Sequence, residues 1–251
     1  MTNSNLNRLV ILAGPSCVGK SPIDRTMTKF YPELRKRMQK LIVYNSRSPR
    51  PGEMDGVDYH FRSRDQIEAL RNQENYLVMD VRGDLQAINV EELVKMLLET
   101  DVFFEGNPFV AQALQTHPKL LKIQRLGIFL SPISKEEITY LKRPELHVSL
   151  PDLITDMMRR KLLRRTRKQK GELSLKDMEN IERRASSAYR ELKEAWRFDY
   201  VIPNHDGEDS ENWGAFYYPL GDARKALLAF AELPEGKIPP GVEKWKEDLL
   251  P

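Results

Sequence analysis

One run, Gly14-Pro15-Ser16-Cys17-Val18-Gly19-Lys20-Ser21, constrains this chain more than any other feature. It completes the pattern G-x-x-x-x-G-K-S/T directly after the apolar stretch from Arg8 to Ala13, the setting of a phosphate-binding loop between a strand and a helix. The glycines let successive backbone N–H groups turn inward around a polyphosphate. Lys20 supplies a point charge to the outer phosphates, and the Ser21 hydroxyl can hold Mg²⁺. ATP or GTP is the expected ligand, cradled by Gly14, Ser16, Cys17, Val18, Gly19, Lys20 and Ser21. Cys17 stands where a small residue is usual. Its thiol is either tolerated for its size or made reactive by the surrounding N–H groups and Lys20.

With 251 residues, 40% of them hydrophobic and 31% charged, the chain can build one full-sized α/β domain or a core with a smaller mobile part. A formal charge of +3 is small for this size, so polyanion binding would have to rest on a local patch, and a nucleic-acid partner is not expected. A single cysteine excludes an internal disulfide framework and a cysteine metal site, which fits a reducing compartment. Residues 1 to 8 are polar and the apolar run after them is too short to span a bilayer. No signal peptide, no membrane association and a cytoplasmic location are therefore expected.

Short apolar runs alternate with amphipathic ones, the pattern of a parallel sheet wrapped by helices. Five core strands are predicted at Leu9 to Ala13, Lys40 to Tyr44, Asp101 to Glu105, Gly127 to Leu130 and Tyr200 to Pro203. Helices are predicted near 22–38, 90–99, 108–116, 134–142, 176–197 and 220–232. Residues 45–89, rich in Pro, Gly and alternating polar residues, break the rhythm as an inserted subdomain would.

Within that insertion, Ser46-Arg47-Ser48-Pro49-Arg50-Pro51-Gly52-Glu53-Met54-Asp55-Gly56-Val57-Asp58-Tyr59-His60-Phe61 sets two arginines three residues apart, then a glutamate and a tyrosine. Arginine forks grip phosphate oxygens through paired N–H donors, a tyrosine hydroxyl adds a neutral donor, and a carboxylate holds an arginine in register. The set suits a phosphate monoester. On spacing alone, a solvated turn with scattered charge remains the alternative.

Together these two runs resemble the guanylate kinase family, whose members carry T-R-x-P-R-x-G-E-x-x-G-x-D-Y-x-F after such a loop. The likeness extends, more loosely, to Ile181-Glu182-Arg183-Arg184-Ala185-Ser186-Ser187-Ala188 and to Phe198-Asp199-Tyr200-Val201-Ile202-Pro203-Asn204, which are similar to the family's lid-exit helix and final strand. The resemblance implies an α/β P-loop kinase core with a parallel sheet flanked by helices (1–44, 90–133 and 197–251), a mixed acceptor-binding subdomain (45–89) and a helical lid with its exit helix (134–196). It implies phosphoryl transfer from ATP, with Mg²⁺, to a nucleoside monophosphate, GMP or dGMP first. On this reading Lys20 and Ser21 contact the donor phosphates and Mg²⁺, and Arg47, Arg50 and Tyr59 hold the acceptor phosphate with Glu53 in support. Arg184, or its neighbour Arg183, neutralises the transferred phosphoryl group, and Asn204 contacts the adenine.

The base-reading positions depart from the family. Val43 aligns with its hydroxyl, Val78 with its glutamate, and Gln86-Ala87-Ile88 with its Tyr-Gly-Ser segment. Buried base edges without partners cost about 1 to 3 kcal/mol each. Three explanations stay open. Asp80, Arg82, Asp84 and Gln86 rebuild a base-reading edge; or the acceptor is a different phosphorylated small molecule, another nucleotide or a phosphosugar; or the chain is a non-catalytic binding module, although such modules typically lose the phosphate loop kept here.

Glu105, the carboxylate ending the strand near 101–106, is the candidate support for Mg²⁺, and Asp101 reads as a turn residue. The basic run 159–170 reads either as a lid surface drawing phosphates inward or as an exposed amphipathic helix with Met158, Leu162 and Leu163 buried and Glu172 and Glu182 as counter-charges. His205 either touches the donor base or lies in a solvated loop. Residues 207–251 are expected to form a loop, a packing helix and a terminal segment bound to the core or to a second subunit, which leaves a homodimer open.

Overall fold

The computed structural model describes residues 7–50 and 52–250. In chain order its elements are β1 (Leu9–Ala13), α1 (Lys20–Phe30), α2 (Pro32–Lys36), β2 (Met38–Lys40), β3 (Tyr44–Asn45), β4 (His60–Phe61), α3 (Arg64–Ala69), β5 (Tyr76–Val81) and β6 (Asp84–Asn89). There follow α4 (Val90–Glu99), β7 (Asp101–Gly106), α5 (Pro108–Thr116), β8 (Arg125–Ser131), α6 (Lys135–Leu141), α7 (Leu150–Lys170), α8 (Leu175–Ser186), α9 (Ala188–Leu192), β9 (Tyr200–Pro203) and α10 (Gly221–Glu232).

The core sheet is parallel, in the order β2-β7-β1-β8-β9. Its central strand, Leu-Val-Ile-Leu-Ala, is buried on both faces, as a parallel strand covered by helices must be. Alternation sorts its side chains. Leu9, Ile11 and Ala13 join Leu93, Val110, Met158 and Leu192 on one face, and Val10 and Leu12 join Ile23, Met27, Leu227 and Phe230 on the other. The phosphate loop leaves the carboxyl end of β1, the edge at which open α/β sheets bind ligands.

Two predicted elements are corrected. The strand expected at 40–44 is divided: Leu41 N–H still donates to Phe103 O at 2.8 Å, after which the chain leaves the core sheet and Tyr44–Asn45 enters a second one. The helix expected at 22–38 breaks at Tyr31, because Pro32 disfavours helical backbone in the residue before it and opens a new helix itself. Similarly, 176–197 is two helices and a 3-10 turn, with the first break at Ser187.

Residues 44–89 form the second sheet, in the order β4-β3-β6-β5. One face, with Tyr44, Tyr76, Val78, Leu85 and Ala87, packs with Ile67 of α3. In the tail, Trp245 and Leu250 are buried in the main core and Glu243 bridges to Val201, so the terminal segment docks on the chain itself. Asp101 does not sit in a turn; it begins β7 and accepts the Arg8 N–H at 2.7 Å.

His205 ties the tail down. Its ring nitrogens lie 2.6 Å from Asp222 and 2.9 Å from Glu137, so it faces two carboxylates and not a ligand cavity. Burial alone would lower its pKa, but these two hydrogen-bonded carboxylates outweigh it and the value ends above the ordinary one. A raised folded-state pKa contributes stability that is complete below the unfolded value, about 6.5, and is lost as pH rises through the folded value. The melting-temperature advantage of the wild type over a His205→Gln variant is therefore expected to shrink when pH is raised from about 6 to about 8.5. An advantage that grew with pH would contradict this.

Candidate active site

Backbone geometry first fixes the phosphate loop. Gly14 has φ +153° and a Cβ there would meet Leu130 O at 2.4 Å; Gly19 has φ +108° and its Cβ would meet Asn204 Nδ2 at 2.6 Å. Only glycine fits either place. Lys20 Nζ folds back onto Gly14 O and Pro15 O, each at 2.8 Å, and burial lowers its pKa against the opposing pull of Glu208 and Glu105. Ser21 Oγ donates to Glu105 Oε1 at 2.7 Å, and burial raises the Glu105 carboxyl despite Lys40 and Lys20. A hydroxyl beside a carboxylate is a hard-oxygen pair that suits Mg²⁺, an ion that takes the rest of its shell from phosphates and water.

Cys17 is fully buried in a left-handed turn, φ 68°, and burial followed by Glu208 pushes its thiol up to about 12. Burial favours the neutral thiol, which accords with the small-residue reading of Cys17 more than with the reactive one.

Across the cavity, Arg47 is gripped by Glu53 through two bonds of 2.6 and 2.7 Å, with its guanidinium 4.9 Å from the Tyr59 ring centroid. Glu53 also accepts the Arg50 N–H at 2.8 Å. The Arg50 side chain stays 3.7 Å from Glu53, and burial, then Arg47 and Arg165, push it down to about 10. Arg47 is thus held in register while Arg50 keeps open donors.

The third wall comes from α7 and α8. Arg184 Nε donates to Ser16 Oγ at 3.0 Å, and burial followed by Arg165, Arg50 and Arg82 presses this guanidinium well below its ordinary pKa. Arginine does not surrender its proton in proteins, so Arg184 keeps its positive charge beside the phosphate loop. Arg165 donates to Glu208 at 2.6 Å, yet its Nε has no partner. Although burial opposes it, Arg165 and Lys20 hold Glu208 at about 2. The basic run is therefore not simply an exposed face: Lys161, Arg165 and Thr166 turn inward, Arg159 pairs with Glu182, and Lys170 pairs with Asp177 and not Glu172.

These walls enclose a cavity of about 360 Å³ that brings together Gly14, Ser16, Cys17, Lys20, Ser21, Arg47, Arg50, Glu53, Tyr59, Gln86, Glu105, Arg183 and Arg184. A second cavity, about 390 Å³, adjoins it between Pro22 and Thr26 of α1, Arg165, Lys168 and Gln169 of α7, and Trp213. Val18 and Gly19 serve the loop without lining either cavity. Asn204 lines neither, since it is fully buried and its amide donates to Val18 O at 2.8 Å and Asp206 O at 2.7 Å. The structure assigns it to holding the loop from below, not to the adenine edge expected from the sequence.

Sheet register shows where the residues aligned with the family's base-reading positions face. Val78 pairs with Ala87, and both point to the α3 face, away from the cavity. On the cavity side lie Asn45 and Gln86, directly opposite each other, with Met79 across from Gln86 and Val81 across from Asp84. Beyond them Leu77, Ile88 and Val43 pack into the main core with Phe104 and line neither cavity. Of the residues named from the sequence for a rebuilt base-reading edge, Arg82, Asp84 and Gln86 line the site and Asp80 does not; Asn107, Arg165 and Glu208 also line it and were not singled out individually by sequence as ligand contacts. Glu208, beyond the motifs, carried no signal at all.

The guanylate kinase family profile matches residues 6–143. A guanylate kinase of Synechococcus sp. (strain JA-3-3Ab) is 31% identical over 84% of this chain and 82% of its own length. The guanylate kinase of Rhodococcus jostii (strain RHA1) is 30% identical over 79% and 81%. MAGUK p55 subfamily member 4 of Rattus norvegicus is 26% identical over 94% of this chain and 47% of its own length. Among solved structures, guanylate kinase from Anaplasma phagocytophilum gives a TM-score of 0.55 at 15% identity, covering 92% of this chain and 86% of that one, which speaks for the α/β fold alone. The profile spans more than half of the chain and the bacterial relatives most of it, so the chain belongs to the guanylate kinase family and is a guanylate-kinase-like phosphotransferase.

Proposed function

We propose that this protein moves the γ-phosphoryl group of ATP, with Mg²⁺, onto the phosphate of a nucleoside monophosphate, GMP or dGMP in the first instance. The observation that carries the reading is the convergence of Arg50, Arg165 and Arg184 with Ser16 on one cavity, where burial first and then neighbouring guanidinium groups, Arg165 among them, lower the pKa of both Arg50 and Arg184. Such a cluster accommodates two phosphates facing each other.

In this reading the loop N–H groups and Lys20 hold the donor phosphates, and Arg47, Arg50 and Tyr59 hold the acceptor phosphate. Ser21 and Glu105 would hold Mg²⁺, which supplies charge neutralisation between the donor phosphates when bound. Arg184 faces the charge that develops on the transferred group, and Arg183 is its exposed neighbour. The acceptor oxygen is already anionic, so no general base is required. A cytoplasmic setting, with ATP abundant and Cys17 kept reduced, accords with this.

The donor base falls to the second cavity, whose indole wall is fixed by Trp213 Nε1 donating to Asp206 O at 2.9 Å and Gly207 O at 3.0 Å. Stacking on that ring changes its emission. Mg-ATP is expected to alter tryptophan fluorescence in the wild type and to lose most of that signal in Trp213→Phe; a full signal in the variant would place the base elsewhere.

A second reading, a different phosphorylated acceptor, is favoured by the apolar packing of Val43 and Ile88, two of the positions aligned with the family's base-reading residues. ATP consumption with GMP, dGMP, the other nucleoside monophosphates and several sugar phosphates decides between them. Turnover with GMP or dGMP supports the first reading, turnover only with another acceptor the second. Silence across the panel with ATP still bound would defeat both in favour of a binding module.

A further inference from the structure

The hairpin joining β5 to β6 turns through Arg82, φ 59°, and Gly83, φ 86°, with Asp80 Oδ1 accepting the Gly83 N–H at 2.7 Å. Two successive left-handed residues make the tight turn that favours Asn-Gly or Asp-Gly, so a bulky arginine in the first place is strained. Its side chain leaves the second sheet altogether. Nε and Nη2 each donate to one oxygen of Glu191 at 2.6 Å, and Nη1 donates to Ser16 Oγ at 2.7 Å.

Glu191, on α9, is fully buried, and its other partners are the neutral donors Asn107 Nδ2 at 3.1 Å and Ser187 Oγ at 2.9 Å. Arg82 is thus the only cation hydrogen-bonded to this carboxylate among the described residues. Without it the buried charge would keep hydrogen bonds only from the neutral Asn107 and Ser187. The Ser16 hydroxyl, inside the phosphate loop, accepts from Arg82 and from Arg184 together. Arg183 of α8 reaches the Arg82 carbonyl at 3.4 Å. One side chain therefore joins the inserted sheet to the phosphate loop and to α9, and through Glu191 to Asn107 at the end of β7.

We propose that Arg82 is a positioning residue that locks the inserted subdomain against the phosphate loop, so that the Arg47 and Arg50 side of the cavity is held opposite Lys20 and Arg184 before substrate arrives. The lock is a fork-to-carboxylate contact between the β5–β6 hairpin and α9, strong when desolvated and lost as a unit when either partner is removed. Its kinetic consequence rests on the kinase reading above. Its geometric consequence does not.

The test measures distance and turnover on the same proteins. Spin labels at Glu74→Cys and at Glu136→Cys, an exposed position on α6, which is anchored in the main core through the buried Ile138, report the separation of the inserted sheet from the core, and the buried Cys17 thiol stays unlabelled. In the ligand-free wild type one narrow distance is expected. Arg82→Ala and Glu191→Gln are each expected to broaden and lengthen it, and Arg82→Lys, which keeps the charge without the fork, to fall between. If Arg82→Ala does not fold, Arg82→Lys and Glu191→Gln carry the measurement. With an active acceptor, Arg82→Ala should lower kcat/KM by about 10²-fold, the scale of a misplaced site, with ATP affinity changed less than about twofold by Trp213 fluorescence. A wild-type distance distribution in the variants overturns the lock whatever the turnover. A lengthened distance with no turnover in any protein, wild type included, leaves the lock standing and removes the kinase reading instead.

Discussion

Lys20→Ala is expected to lower acceptor-dependent turnover by about 10³-fold, the upper range for one preorganised charge at a transition state. In the ligand-free protein the Lys20 ammonium is buried and satisfied only by two loop carbonyls, Gly14 O and Pro15 O. Burial has already weakened its hold on a proton, with Glu208 and Glu105 acting to retain it. Phosphate oxygens offer a better partner for the same charge, and negative charge builds on the leaving oxygen of the donor during transfer, so the loss should appear chiefly in kcat. Steady-state kinetics and nucleotide-induced fluorescence separate the two effects. A variant that keeps wild-type turnover would remove Lys20 from the chemistry.

Arg184→Ala should cost kcat about 10³-fold as well, the lower bound for an arginine that meets transition-state charge in phosphoryl transfer. Its effect on stability should go the other way. Arg184 is buried, hydrogen-bonded through Nε to Ser16, and pressed upon by Arg165, Arg50 and Arg82. Removing it relieves repulsion among like charges, so the melting temperature of the ligand-free variant should match or exceed that of the wild type. This pairing of lost activity with retained stability is the signature of a site organised for an absent anion. Arg183 provides the control. It is exposed and contacts the Arg82 carbonyl at 3.4 Å, so Arg183→Ala should be mild. Equal losses in the two variants would reassign the role.

The legibility of the sequence followed how local each signal was. Strands β1 and β9 and helices α4 and α5 were readable because their apolar runs and flanking caps lie within one window, as with Asn89, whose side chain accepts the Glu91 and Glu92 N–H groups. The phosphate loop and the Arg47–Glu53 fork were readable because each is contiguous. The facing of Val78 was not legible for a reason specific to strands: a slip of one position moves a side chain to the opposite face, and its neighbours Leu77 and Met79, not Val78, lie on the cavity side of the sheet. Asn204 was taken for a ligand contact because an amide at a strand end can face either way, and only the packing under Gly19 shows that it supports the loop. Arg82 and Glu191 lie 109 residues apart, and Arg165 and Glu208 lie 43 apart, so neither pair leaves a local trace. Arg165 was hidden in a second way, being one inward-facing cation in a run of exposed ones.

The account stands on transfer of phosphate to phosphate, and ³¹P NMR of the products tests it most directly. The protein is incubated with Mg-ATP and GMP, and with the other acceptors of the panel. The expected result is ADP together with a new phosphoanhydride on the acceptor, present with wild type and absent with Lys20→Ala. Release of inorganic phosphate alone, or no reaction with any acceptor while ATP remains bound, would contradict it.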